Sequence, residues 1–326
     1  MMIVAEMSAS HNGDFDRAIA IVHAAAEAGV DAVKLQTWTP DTMCHPDAQW
    51  KGHKLKTLYR LAHTPWEWHK LLFDLCKDLG IVGFSTPFDL PSLEFLESLD
   101  CPIYKIASFE MVDLELIEAA ARTGKPLIIS TGMASRSEIT AAHMAALRGG
   151  CTDLTLLKCT SAYPARAEDA HLAAMQAYRE DFGVKAGVSD HTKGIAVAVA
   201  AAALGADVIE KHFTVNRDGG LDSEFSIEPG EMKMMVEMCR EAALAVGMGK
   251  TDWSQGWIPE ERDQRKLRRS LYFAKDLPEG HIITRQDIIA MRPADGLPPS
   301  ELWVILGRAT TKPVSSNEPV QWEALK

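Results

Sequence analysis

Val188-Ser189-Asp190-His191 and Glu210-Lys211-His212-Phe213 are two short runs that open apolar and close on a polar cluster holding a histidine. Between them the segment 195–204 repeats its apolar residues at helical spacing. Strand, helix, strand with so little connecting chain is the pattern of a parallel crossover unit. Working outward, eight such runs appear, at 3–8, 32–37, 82–88, 103–108, 127–131, 154–160, 186–191 and 208–213. Helical-period segments at 15–28, 66–79, 114–122, 136–148, 170–181 and 231–246 alternate with them. Gly29, Gly80, Gly124, Gly149 and Gly205 stand where a left-handed residue closes a helix.

Eight units in about 250 residues is the size of a closed (β/α)8 TIM barrel, whose chemistry sits at the C-terminal ends of the strands. An open doubly wound sheet is the rival, but no Gly-x-Gly-x-x-Gly follows the first run. The connection 38–64 is long, polar and aromatic, as functional lids are. In the aromatic cluster that follows it, Thr64 suits a helix cap and Pro65 a first helical position.

The pattern changes after Gly249, so a barrel is expected over 1–249 and a linker over 250–269. Arg262, Arg265, Lys266, Arg268 and Arg269 crowd that linker as a solvated, locally paired charge cluster. A small β-rich unit is expected over 270–326, with β-like runs at 271–274, 282–284 and 312–314.

Composition narrows the function. The chain has 326 residues, 47% of them hydrophobic and 24% charged, which is ordinary for a globular protein. A net charge of −11 gives no attraction to nucleic acid or anionic membrane. The six cysteines show no C-x-x-C spacing, so reduced thiols are expected. Glu6 breaks the opening run, and no segment approaches the roughly 20 apolar residues of a membrane span. A cytoplasmic protein is expected.

Lys34 and Lys105 each interrupt an apolar strand. An unpaired buried ammonium is costly, so each must meet an anion. Internal pairing with Glu6, Glu110 or Glu210 would answer that need. Hydroxyls at other strand ends, Thr86, Ser108, Ser130 and Ser189, instead favour a phosphate or carboxylate ligand. His191 and His212 end adjacent strands about 5 Å apart and can share a divalent ion, although a lone histidine is commonly structural. Glu6 and Glu110 can orient a hydroxyl or serve as general base. Lys158 or Lys211 could form a Schiff base, a weaker reading because the histidine pair already supplies a carbonyl-polarising site.

With these residues placed, the chain resembles the sialic acid synthase family, and within it the pseudaminic acid synthase branch. The likeness is carried by Ala5-Glu6-Met7-Ser8-Ala9-Ser10-His11-Asn12-Gly13, Lys34-Leu35-Gln36-Thr37, Phe84-Ser85-Thr86-Pro87-Phe88 and Lys105-Ile106-Ala107-Ser108. It continues through Ser130-Thr131-Gly132-Met133, Lys158-Cys159-Thr160-Ser161-Ala162-Tyr163-Pro164, Ser189-Asp190-His191-Thr192 and Glu210-Lys211-His212-Phe213-Thr214. The tail, with Arg269-Ser270-Leu271 and Met291-Arg292-Pro293, is similar to the antifreeze-like (SAF) domain of that family.

The resemblance implies a metal-dependent condensation of phosphoenolpyruvate with an open-chain amino sugar. Lys34, Thr86, Lys105, Ser108, Ser130 and Ser189 would hold phosphoenolpyruvate. His191 and His212 would hold manganese or magnesium, with cobalt a third candidate. Glu6, Gln36, Glu110, Tyr163 and Asp222 would face the sugar or activate water. It also implies a homodimer in which the SAF domain covers the partner's barrel, so that Arg292 acts in trans. Ser10, Ala294 and Leu221 depart from the family's usual residues, mostly on the sugar side. The segments 37–42, 64–69 and 296–299 match the branch that uses 2,4-diacetamido-2,4,6-trideoxy-altrose. A mannose-configured sugar, giving N-acetylneuraminate or legionaminate, is the alternative. A carbohydrate-binding protein without catalysis could have lost the lysines, histidines and glutamates, all of which are present.

Overall fold

The computed structural model describes residues 1–50, 52–218, 220–246, 261 and 263–326. The chain divides into two compact units, Met1–Met248 and Gly249–Lys326.

In chain order the first unit has strands β1 (Met2–Glu6), β2 (Ala32–Thr37), β3 (Gln49–Trp50), β4 (His53–Lys54), β5 (Val82–Pro87), β6 (Tyr104–Ile106), β7 (Leu127–Ser130), β8 (Leu154–Cys159), β9 (Lys185–Asp190) and β10 (Val208–His212). Eight of them close a parallel barrel in the order β1-β10-β9-β8-β7-β6-β5-β2, while β3 and β4 form a separate small ribbon. This is the (β/α)8 TIM barrel expected from the sequence. Strands buried on both faces explain the near-continuous apolar runs, such as Ile3, Val4 and Ala5 or Ile128 and Ile129.

The helices described in this unit are α1 (Phe15–Glu27), α2 (Leu55–Ala62), α3 (Trp66–Asp78), α4 (Leu90–Ser98), α5 (Leu114–Arg122), α6 (Arg136–Arg148), α7 (Ala174–Phe182), α8 (Ala196–Ala203) and α9 (Pro229–Val246). Side chains that satisfy the orphan N–H groups start several of them: Asp14 for α1, Asp89 for α4, Asp113 for α5, and a Ser135–Glu138 capping box for α6.

Several local expectations need correction. The first strand stops at Glu6 because Ser8–His11 turns as a 3-10 helix, with Ser8 at φ 42°. The segment 170–181 is helical only from Ala174. Gly149 keeps a right-handed conformation, and Gly150, at φ 88°, takes the left-handed one. Thr64 does not cap α3: its buried hydroxyl meets His11 Nε2 at 3.1 Å, and Pro65 occupies the cap. The long 38–64 connection carries its own structure, the β3–β4 ribbon and α2.

The second unit has its own apolar core, which includes Leu271, Phe273, Leu277, Ile288, Ile305 and Val320. Its sheet pairs β11 (Ser270–Phe273) antiparallel with β12 (Ile288–Met291), whereas Ile282 and Val314 make only isolated bridges. The β-like runs at 282–284 and 312–314 are therefore not strands. Residues 250–260 and Arg262 of the expected linker lie outside the described residues. Lys266 of the basic cluster pairs with Asp263 at 2.9 Å. Among the described residues no helix is long and apolar enough to cross a membrane.

Gly187 is required where β9 meets β10. A Cβ there would sit 2.0 Å from the Val208 carbonyl oxygen and 2.9 Å from Leu157 Cδ2. Backbone cannot yield as a side chain does, so Gly187→Ala is expected to destabilise the barrel by about 3 kcal/mol, the upper end of overpacking. A thermal midpoint equal to wild type would contradict the close approach.

Candidate active site

Alternation along β1, β2, β9 and β10 turns Glu6, Lys34, Gln36, Ser189, Glu210 and His212 to one side, and these residues line a small cavity in the barrel. Lys105, Ser108, Ser130, Cys159, Tyr163 and His191 complete its wall. Glu210 lies at the middle of the charges. Its Oε1 is 3.7 Å from Lys105 Nζ and its Oε2 is 3.8 Å from Lys34 Nζ, and it accepts a 2.8 Å hydrogen bond from Ser189. Lys34 also pairs with Glu6 at 2.5 Å and donates to Thr86 Oγ1 at 3.0 Å. Gln36 donates to the other Glu6 oxygen at 2.8 Å.

These contacts sort the protonation states. Burial alone would raise Glu210, but Lys105, Lys34 and the Ser189 hydroxyl hold it well below the usual carboxylate range. Burial wins at Glu6 and raises it, because the pull of Lys34 is offset by repulsion from Glu210. Burial would lower Lys34, yet Glu210 and Glu6 keep it raised, whereas Lys105 is lowered by burial. Two ammonium groups thus share one firmly ionised carboxylate.

Of the two expectations for the lysines, internal pairing is the one the structure describes. The lysines do pair with Glu6 and Glu210. Lys105, however, is 2% exposed and its Glu210 contact exceeds hydrogen-bond length. Ser130 Oγ beside it is buried with no hydrogen-bond partner. Ser108 accepts from the Gly132 N–H at 3.0 Å. Thr86 is buried, supports Lys34, and lines no part of this cavity.

His191 follows β9 and His212 ends β10, with ring centroids 5.2 Å apart. His191 Nδ1 faces the Thr160 carbonyl oxygen at 2.9 Å, which leaves Nε2 for another partner. His212 Nδ1 is buried without a partner, and burial, then His191, Lys34, Lys211 and Lys105, push this imidazole well below its ordinary value. Among the described residues no cluster of three or more His, Cys, Asp or Glu side chains is placed to hold a metal. A metal here would take two protein ligands.

Above this floor, and sharing Gln36, Tyr163 and His212 with it, opens a cavity of about 420 Å3. Glu110 and Asp222 line it, and Trp38, Met43, Tyr59, Phe88, Leu221 and Phe225 give it an apolar wall. Asp222 is anchored by the Ala9 N–H at 3.0 Å. Tyr163 packs on His191 with centroids 4.3 Å apart. Arg292 is exposed in the second unit.

Sequence reasoning missed Glu210 and Cys159 as cavity residues and the aromatic wall as a feature. The first two were open to the period-two rule: Glu210 shares parity with His212, and Cys159 faces in where Lys158 does not. The rule also disposes of the Schiff-base lysines. Lys158 binds the Cys159 carbonyl and Thr160, Lys211 pairs with Asp190, and neither lines the floor or the larger cavity.

The NeuB family profile matches residues 21–251, and a SAF domain matches 268–326. The chain belongs to the NeuB family. A pseudaminic acid synthase of Helicobacter pylori is 44% identical, covering 98% of this chain and 96% of its own. An N,N'-diacetyllegionaminic acid synthase of Legionella pneumophila is 37% identical, covering 99% and 94% respectively. Among solved structures, an N-acetylneuraminic acid synthetase of Leptospira borgpetersenii superposes with a TM-score of 0.74 at 33% identity, over 81% of this chain and 89% of its own. The chain is accordingly a carbon–carbon bond-forming synthase, a transferase-type enzyme.

Glu110 yields a test of the site's electrostatics. Burial pushes its carboxyl up from the ordinary 4.5 to about 7, and its Oε2 has no partner. Between those two values the folded state holds the proton more tightly than the unfolded chain, so its contribution to stability falls as pH rises through the window. Glu110→Gln removes that penalty and is expected to stabilise the protein at pH 8 by on the order of 1 kcal/mol, with little gain at pH 4. Equal shifts at both pH values in chemical denaturation would refute the assignment.

Proposed function

We propose that this site condenses phosphoenolpyruvate with 2,4-diacetamido-2,4,6-trideoxy-altrose and water, giving pseudaminic acid and phosphate. The observation that carries the reading is the floor itself: two buried ammonium groups against one ionised carboxylate, beside an unpartnered serine hydroxyl. A small anion with a carboxylate and a phosphate is attracted by that surplus and by the free hydroxyl. The sialic acid synthetase and pseudaminic acid synthase names of the relatives supply the reaction class, and the apolar wall supports a sugar bearing a methyl carbon and acyl methyl groups.

Lys34, Lys105, Ser108, Ser130 and Ser189 bind phosphoenolpyruvate, with Thr86 holding Lys34 in place. Gln36, Tyr163 and Asp222 orient the sugar, and Glu110 holds or releases a proton on the sugar side. Glu6, whose raised pKa makes its ionised form the stronger base, takes a proton from the water that adds to the former enol carbon. His191 and His212 would hold a divalent manganese, magnesium or cobalt ion. The orphaned His212 Nδ1 and the facing imidazoles fit such an ion, which supplies Lewis-acid polarisation of the sugar carbonyl when bound. The enol carbon forms the new bond to that carbonyl carbon as the C=C and sugar C=O π bonds break and the sugar oxygen takes up a proton; water then adds to the former enol carbon, and its C–O bond to phosphate breaks to leave the keto group. The second unit, acting from the partner in a homodimer, brings Arg292 to the sugar.

Phosphate release with each candidate sugar, with and without chelator, and the product mass test this reading. Chelator-sensitive release with the trideoxy-altrose sugar is expected. Preference for a mannose-configured sugar would overturn the choice of acceptor, in line with the legionaminic relative. No release with any sugar under added manganese would overturn the reaction. Arg292→Ala is expected to raise KM for the sugar while phosphoenolpyruvate affinity stays near wild type, and equal loss of both would exclude the trans contact.

A further inference from the structure

Lys211 and Asp190 are buried charges with no part in the chemistry above. Lys211 is 0% exposed and pairs with Asp190 at 2.8 Å. Its ammonium also donates to the Thr192 carbonyl oxygen. Asp190 Oδ1 in turn accepts from the Thr192 N–H at 2.9 Å and from its hydroxyl at 2.7 Å. Asp190 and Thr192 flank His191, and Lys211 precedes His212. One knot therefore grips the backbone on both sides of one imidazole and immediately before the other.

The strand ladder does not do this by itself. The registered pairing of β9 with β10 ends at Lys211↔Asp190, so His191 lies beyond it. Two other ties hold that segment, the Ala165 N–H donating to the His191 carbonyl at 3.0 Å and the Thr160 carbonyl oxygen 2.9 Å from His191 Nδ1, while His212 is registered against Glu6 of β1. A buried ion pair is a poor source of net stability, and apolar side chains of similar volume generally serve as well. What they would not reproduce is three directed bonds that set the height of His191 against His212.

We infer that Lys211, Asp190 and Thr192 are positioning residues that fix the mutual placement of the His191 and His212 imidazoles. The inference rests on the proposal that these histidines act together on one divalent ion.

Calorimetric titration of the full-length protein with Mn2+, beside thermal unfolding, tests it. Each of Lys211→Met and Asp190→Leu alone strands a buried charge and is expected to lower the thermal midpoint. The double variant Lys211→Met/Asp190→Leu is expected to regain most of that midpoint, yet bind Mn2+ at least about tenfold more weakly, as loss of outer-shell support does. Its kcat should fall while KM for phosphoenolpyruvate holds. Thr192→Val keeps the ion pair and removes only the hydroxyl bond; a near-wild-type midpoint with weaker Mn2+ binding is expected even if the double variant fails to fold. Wild-type Mn2+ affinity in Thr192→Val or in the folded double variant would overturn the positioning role. No Mn2+ binding by the wild-type protein would overturn instead the metal reading beneath it.

Discussion

Glu210 lies 3.7 and 3.8 Å from two ammonium groups that are both almost fully buried, and the rest of the barrel mouth is arranged around that sharing. Removing three charges from water carries a desolvation cost that Coulomb attraction offsets only when the geometry is good. Here it is left incomplete. Lys105 meets its carboxylate at a distance too long for a hydrogen bond, and Glu6, the other candidate counter-charge, is raised toward its neutral form. The floor holds more positive charge than its own carboxylates neutralise. An anion that enters finds donors already placed, which is where electrostatic preorganisation is worth most.

The barrel makes that arrangement possible through strand parity. Parallel strands buried on both faces send alternate side chains into the barrel and out toward the helices. On β10, Glu210 and His212 face in while Lys211 faces out, and on β9, Ser189 faces in while Asp190 faces out. The same three-residue run therefore supplies chemistry on one side and a buried strut on the other. The sugar side is built differently. Trp38, Met43 and Tyr59 come from the 38–64 connection, and Leu221 and Phe225 from the loop after β10.

Much of this was legible in the sequence because strand ends carry their polarity locally. The run from Val188 to His191 announces a strand, its end and a functional group together, and α5 and α6 are bounded by Asp113 and by the Ser135–Glu138 box as written. Helix α4 is absent from the helical-period segments read in the sequence, although Pro91 is tolerated in its first turn, which Asp89 caps. β12 escaped because its partner β11 is distant in sequence and its own run is short. Within the site, the histidines and lysines stood out as charges in apolar strands. Glu210 was legible only as a counter-ion and Cys159 not at all, since their place in the cavity follows from which face they share. The aromatic wall had no periodic signal, because loop residues meet only through tertiary packing.

The central proposal is that the buried lysines bind phosphoenolpyruvate, and direct binding tests it without any sugar or turnover. Calorimetric titration of phosphoenolpyruvate into wild-type protein and into Lys105→Met, whose methionine keeps the volume and removes the charge, is the decisive comparison. The account predicts one site per chain in the wild type and a loss of affinity of at least about a hundredfold in the variant, the scale of a charge-assisted contact of about 3 kcal/mol. Equal affinity in the two proteins would contradict it and leave Lys105 as an internal counter-ion for Glu210.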